Sequence, residues 1–282
     1  MKLRVSNSKC YNCNLMKTFI LGVGAQKSGT TWVHQYLSSH YPYVDMGAFK
    51  EYHVWDALCG IRPEYKVVDT HTYKDVMRKR MQQDESNYFD YFANILSSNS
   101  TLISGDISPD YAALPKIVLK KIKAGFQERS ITTKVLFIMR DPVERTISAY
   151  KDIILRNDIG DVDHNINIVD FAKSDLATKI GRYENTIFNV QSVFDKNDIY
   201  LELYENLFSK TGVYKLSQYF NMHADYDMID EQVNSSQFSM EFEEVVKNTI
   251  ALEYIETYKC AIQKFPEIEN LWSSFKYIKE KI

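Results

Sequence analysis

An apolar run at residues 18–23 ends in Gly24 and Ala25, and a helical pattern takes over at Thr31, with Val33, Tyr36 and Leu37 on one face. Gln26, Lys27, Ser28, Gly29 and Thr30 stand between them. A buried strand that stops at small residues and turns at once into a helix belongs to a mainly parallel sheet covered by helices. The same junction is an anion cradle. Small residues let backbone amides converge, the helix N-terminus adds positive potential, and Lys27 with the hydroxyls of Thr30 and Thr31 adds donors. The order departs from Gly-x-x-x-x-Gly-Lys-Ser/Thr, because Lys27 precedes Gly29 and Thr30 follows it. An ordinary ATPase or GTPase is therefore disfavoured, and the loop alone predicts only a phosphate-like ligand.

The pattern repeats downstream. Apolar runs at 101–105, 134–139 and 198–204 read as strands, and helical stretches are expected around 88–96, 143–155, 183–194, 210–220 and from 238 onward. The predicted fold is a three-layer α/β domain with a central, mainly parallel sheet, its ligands bound at the carboxyl ends of the strands. No repeat or linker divides the 282 residues, so a single domain over 17–282 is expected after an N-terminal arm of residues 1–16.

A formal net charge of −3 leaves no global footprint for nucleic acid or an anionic membrane, so an anionic ligand needs a local site. No window approaches the roughly 20 apolar residues of a membrane span. Cys10, Cys13, Cys59 and Cys260 are too sparse for a disulfide framework and fit a reducing compartment. A soluble, cytoplasmic protein is expected. The Cys10-x-x-Cys13 pair reads as two free thiols on the arm, since no second pair completes a zinc site.

More than a hundred residues after the loop comes Arg140-Asp141-Pro142-Val143-Glu144-Arg145-Thr146-Ile147-Ser148-Ala149-Tyr150. Arg140 at a strand end offers a planar fork to a phosphate, and Ser148, two helical turns on, adds a hydroxyl. Together the two segments resemble the paired phosphate motifs of the sulfotransferase superfamily that uses 3′-phosphoadenosine 5′-phosphosulfate (PAPS). The resemblance is nearest the heparan-sulfate-type and bacterial branch, although Lys-Ser-Gly-Thr-Thr-Trp is the loop of the cytosolic branch. It implies a fold like that of the P-loop NTPases. It also implies that Gln26, Lys27, Ser28, Gly29, Thr30 and Thr31 hold the 5′-phosphosulfate, Lys27 acting at the bridging oxygen. Trp32 would stack on adenine, and Arg140 and Ser148 would bind the 3′-phosphate. The product would be 3′-phosphoadenosine 5′-phosphate (PAP), with no metal required.

Phe49-Lys50-Glu51-Tyr52-His53 resembles the Lys-Glu-x-His segment of the same branch, which makes Glu51 the expected general base and His53 its competitor. Asp106-Ile107-Ser108-Pro109-Asp110-Tyr111 resembles a further segment, but Ile107 replaces a lysine that often points toward sulfate or acceptor. That departure weakens the case for a polyanionic glycan. Asp106 and Ser108 read as a Ser-Pro turn with an Asp cap, expected as a loop after the second strand. Gly181-Arg182-Tyr183 and Glu205-Asn206-Leu207 resemble shorter family segments, and a closing cofactor loop falls near residues 233–236 without the usual basic, Gly-rich composition. The resemblance implies sulfuryl transfer to a hydroxyl or amine, the acceptor being a glycan or a small hydroxylated molecule. A small-molecule kinase with a divergent phosphate loop, using Asp141 toward Mg²⁺, and a non-catalytic nucleotide-binding relative stay open. Acceptor identity and oligomeric state are not legible.

Overall fold

The computed structural model describes residues 16–157, 167–230 and 240–282. Cys10, Cys13 and the segment 233–236 lie outside them. Four strands, β1 (Thr18–Gly22), β2 (Ile103–Ile107), β3 (Thr132–Met139) and β4 (Ile199–Leu203), form one sheet in the order β2-β1-β3-β4, and every pairing is parallel. Each strand is joined to the next through helices, as parallel pairing demands.

The α-helices among the described residues are α1 (Thr30–Ser38), α2 (Trp55–Leu58), α3 (Tyr73–Gln83), α4 (Ser86–Leu96), α5 (Lys116–Gln127), α6 (Pro142–Asn157), α7 (Ile168–Lys173), α8 (Asp175–Gly181), α9 (Tyr183–Gln191), α10 (Tyr204–Leu207), α11 (Lys210–Tyr219), α12 (Glu244–Glu253), α13 (Ile255–Lys264) and α14 (Ile268–Leu271). Alternation along the strands divides the core into two layers. Phe19 and Leu21 of β1, with Val135, Phe137 and Met139 of β3, face α4, α5, α6, α9 and the C-terminal helices. Ile20, Leu136 and Ile138 face the other way, onto Trp32, Val33, Tyr36 and Leu37 of α1 and Val213 and Leu216 of α11. Phe19 stacks on Phe126 with ring centroids 3.8 Å apart, and Phe92 and Tyr88 close on it edge-on. The expected three-layer α/β architecture is therefore present.

Two expectations shift. The strand expected at 101–105 occupies Ile103–Ile107, so Asp106 and Ile107 are strand residues and not loop. The cause is register, because Leu21 pairs with Asp106 and Gly22 with Ile107. The polarity of Asp106 hid a position that is wholly buried. The helical stretch beyond 238 resolves into α12 and α13, separated at Tyr254, where the backbone leaves helical geometry at φ −106° and ψ 24°.

Candidate active site

Strand β1 delivers the anion loop to the carboxyl end of the sheet. Val23 and Ala25 donate their N–H groups to Leu136 and Ile138 of β3 at 2.9 and 2.8 Å, so the loop begins from a fixed edge. It then turns sharply. Lys27 and Gly29 both take left-handed backbone angles, φ 64° and 79°. Gly29 needs the absence of a side chain for a second reason, because a Cβ there would lie 3.1 Å from Tyr204 and from Leu207. For Lys27 the conformation costs on the order of 1 kcal/mol, and Arg140 Nη1 holds it by donating to the Lys27 carbonyl at 3.0 Å. The backbone N–H groups of Lys27 and Gly29 have no acceptor among the described residues.

Arg140 follows the end of β3, with α6 beginning at Pro142, and its guanidinium lies 4.6 Å from the centre of the Tyr204 ring. The Tyr183 hydroxyl donates to the Arg140 carbonyl at 2.9 Å, which brings the Gly181–Tyr183 segment to the same place. Ser148 is half-buried on α6. One turn further, Asp152 Oδ1 lies 3.4 Å from Lys27 Nζ.

The third part is the loop holding Lys50, Glu51 and His53, anchored to the end of β2. Ile107 N–H donates to the Lys50 carbonyl at 3.2 Å, and Ser108 Oγ receives the N–H groups of Tyr52 and His53 at 3.1 and 3.3 Å. Ser108 in turn donates to Asp106 Oδ1 at 2.6 Å, and the Tyr88 and Tyr111 hydroxyls donate to Oδ2 at 3.0 and 2.8 Å. Burial pushes the Asp106 carboxyl up to about 6 against these hydrogen bonds. Asp106 and Ser108 thus hold the loop from within.

Lys50 Nζ reaches Glu51 Oε1 at 2.5 Å and Thr30 Oγ1 at 3.5 Å, joining this loop to the first turn of α1. His53 Nε2 lies 3.0 Å from Glu51 Oε2, and its Nδ1 lies 2.6 Å from Asp56 Oδ2. The imidazole stacks on Tyr65 at 3.8 Å between centroids. The result is an alternating row of charge, Lys50, Glu51, His53, Asp56. Burial lowers the affinity of His53 for its proton, but Asp56 and Glu51 outweigh it and raise the imidazole to about 9. For Glu51, burial acts upward and the hydrogen bonds and charges of His53 and Lys50 prevail, holding the carboxyl at about 2. Arg78 fixes the main chain beneath, donating to the Glu51 carbonyl at 2.9 Å and to the Tyr52 carbonyl at 2.8 Å.

Three expected site residues are placed differently. Trp32 is 1% exposed; its ring lies against Tyr36 with centroids 5.2 Å apart, Phe208 meets it edge-on, and its N–H donates to the Met228 carbonyl at 3.0 Å. It is a core aromatic here and presents no open face to a base, because α1 must bury an apolar stripe against the sheet. Ser28 is fully buried, and its N–H is taken by the Ala25 carbonyl at 3.3 Å. His53 has both ring nitrogens engaged by carboxylates and is an imidazolium at neutral pH, which is wrong for a base. Gln26 and Thr31 are half-buried in the loop and first turn, and Thr30 is buried.

Sequence reasoning missed Asp56, Arg78, Tyr204 and His34. Asp56 was visible as an acid three residues after His53; nothing local marks the others. His34 lies one turn past Thr30, and burial, with help from Lys50, lowers its imidazole to about 4. His53, Asp56 and Asp110 bring metal-ligand atom types within 4.8 Å of one another. His53 and Asp56 are already paired, and Asp110 lies 3.3 Å from Arg62.

No helix among the described residues is long and apolar enough to cross a membrane. A family model described as a sulfotransferase domain matches residues 17–264. Among solved structures, the chain is similar to a sulfotransferase from Alicyclobacillus acidocaldarius at 18% identity and a TM-score of 0.60, over 89% of this chain and 96% of that one. It is also similar to STF9, a sulfotransferase from Mycobacterium avium, at 11% identity and a TM-score of 0.47, over 92% and 77% of the two chains. No curated protein matches the sequence.

Proposed function

Since the chain belongs to the sulfotransferase family, we propose that it transfers a sulfuryl group from PAPS to a hydroxyl or amine, with Glu51 as general base and Lys27 at the leaving phosphate. One observation carries this reading. The loop at 24–30, the Arg140 fork and the Glu51 carboxylate, which lie far apart in sequence, are tied together by Arg140 to the Lys27 carbonyl and by Lys50 to Thr30. The segments assigned here to the two anions and to the base therefore share the end of a single sheet.

The donor set fits a nucleotide with two separated anionic groups. The free N–H groups of Lys27 and Gly29, the Lys27 ammonium and the Thr30 and Thr31 hydroxyls suit the 5′-phosphosulfate, and Arg140 with Ser148 suits a 3′-phosphate. When bound, PAPS supplies an activated sulfuryl group and a phosphate leaving group. Lys27 then exchanges its partner Asp152 for the developing charge at the bridging oxygen, the role of a preorganised electrostatic donor. Glu51, ionised throughout the neutral range, accepts the acceptor proton, and His53, held by Asp56, keeps the carboxylate aimed.

A kinase reading would require Asp141 toward Mg²⁺. Its carboxylate instead receives Ser274 N–H at 2.9 Å, the Ser274 hydroxyl at 2.5 Å and Val143 N–H at 2.9 Å, which weighs against that role. A reducing, cytoplasmic setting goes with this reading, since four scattered cysteines are too sparse for a disulfide framework. The test is release of PAP from PAPS, with water as the default acceptor, by the wild type and by Glu51→Gln. Turnover should fall at least a hundredfold in the variant while PAP affinity stays within a factor of about three. Equal turnover in the two proteins would remove Glu51 from the mechanism.

A further inference from the structure

Tyr204 opens α10 immediately after β4, and its ring touches both anion positions. One face lies 4.6 Å from the Arg140 guanidinium carbon. Its edge packs where a Cβ on Gly29 would sit, and Phe208 meets it edge-on at 5.0 Å between centroids. The acids on either side in sequence are turned elsewhere. Asp141 is bound by Ser274 and the first turn of α6, and Glu205 receives the Trp272 indole N–H at 3.2 Å and the Asp141 N–H at 3.3 Å. Among the described residues Arg140 therefore has no carboxylate partner, and its side-chain contacts are the Lys27 carbonyl and the Tyr204 ring.

That choice of partner has a chemical consequence. A carboxylate would occupy two edge N–H groups of the guanidinium and cancel its charge. An aromatic face attracts the same cation from above its plane and leaves the edge donors free. We infer that Tyr204 is a positioning residue, holding Arg140 in the plane in which its unused donors meet a 3′-phosphate, and thereby setting the preference for a doubly phosphorylated nucleotide over a 5′-monophosphate. The inference rests on the nucleotide reading above.

The experiment is calorimetric titration with PAP and, separately, with adenosine 5′-phosphate, on the wild type and on Tyr204→Phe, Tyr204→Leu, Arg140→Ala and the Arg140→Ala/Tyr204→Leu double variant. The wild type should prefer PAP, and Tyr204→Phe, which keeps the ring, should retain the preference. Tyr204→Leu, which keeps apolar bulk against Gly29, should lose about tenfold in PAP affinity with little change toward the monophosphate. In the double variant the ratio should be no lower than in Arg140→Ala alone. Equal losses toward both ligands in Tyr204→Leu would show that the ring only packs the loop, and an unchanged ratio would equally overturn the inference. A wild type with no preference for PAP would instead overturn the nucleotide reading on which it rests. Should Tyr204→Leu fail to fold, Tyr204→Met fills the same space with a flexible apolar chain and carries the comparison.

Discussion

Glu51 is flanked by two cations, Lys50 and His53, and their combined effect sets where its carboxyl titrates. A carboxyl held at about 2 is ionised at any pH where the protein would be assayed. The acid side of the pH profile should accordingly be free of any limb from Glu51. His53→Gln removes one cation and one charge-assisted hydrogen bond, so the Glu51 pKa moves upward. An acid limb should then appear in kcat/KM for PAP release, at a pH above about 2, with PAP affinity retained. A profile superimposable on that of the wild type would show that His53 does not act on Glu51. At this scale the sequence was partly legible. Lys27 and Arg140 stood in motifs whose anion chemistry could be argued from residue type, and Glu51 was singled out by a family resemblance. Trp32 was misplaced because an aromatic on a helix reads the same whether it faces a ligand or the sheet. Tyr204 and Arg78 carry no local mark, since their importance arises from partners 64 and 27 positions away.

Gly29 shows how an element depends on its neighbours. The loop's second left-handed position lies against α10, so Gly29→Ala meets two penalties. A φ of 79° is unfavourable for any residue with a side chain, by about 1–2 kcal/mol. The added carbon also sits 3.1 Å from the Tyr204 ring and from the Leu207 side chain. The variant should unfold at lower denaturant and bind PAP at least tenfold more weakly; wild-type values for both would mean that the loop tolerates the carbon and that its geometry is not as described. Element positions were read well where apolar runs were long, as at β1 and β3, and less well at β2. There the polar residues Ser104 and Asp106 interrupt the run although both are fully buried. Periodicity cannot detect a strand whose polar side chains are satisfied by partners from other elements.

Across the molecule, several buried acids bind protons more tightly in the folded state than in the unfolded one. Burial raises Glu205 to about 7 and Asp106 and Asp110 to about 6, from ordinary values near 4. A raised folded pKa contributes stability at low pH that is lost as pH rises through the folded value. His53, at about 9, contributes with the same sign, fully below about 6.5 and lost as pH rises toward 9. Glu51 and His34, whose folded values are lowered, act with the opposite sign: their contribution is fully present above their ordinary values and is lost only as pH falls below 4.5 for Glu51 and below 6.5 for His34, where the raised acids and His53 outweigh it. Melting temperature should therefore fall steadily from pH 5 to pH 9, as followed by circular dichroism at fixed ionic strength. A rise over that interval would contradict the burial of these acids. The layered α/β plan was legible at this scale because strand and helix periods alternate along the chain. The convergence of the three site segments was not, since it depends on the order β2-β1-β3-β4, which no local pattern encodes.

On the proposed reading the loop at 24–30 and Arg140 form one site for a doubly phosphorylated nucleotide, and calorimetric titration measures that binding without an acceptor. Purified protein would be titrated with PAP, and with ATP in the presence and absence of Mg²⁺, beside the Arg140→Ala variant. PAP should bind without metal, and its affinity should fall by at least tenfold in Arg140→Ala. Mg²⁺-dependent ATP binding with none for PAP would contradict that reading.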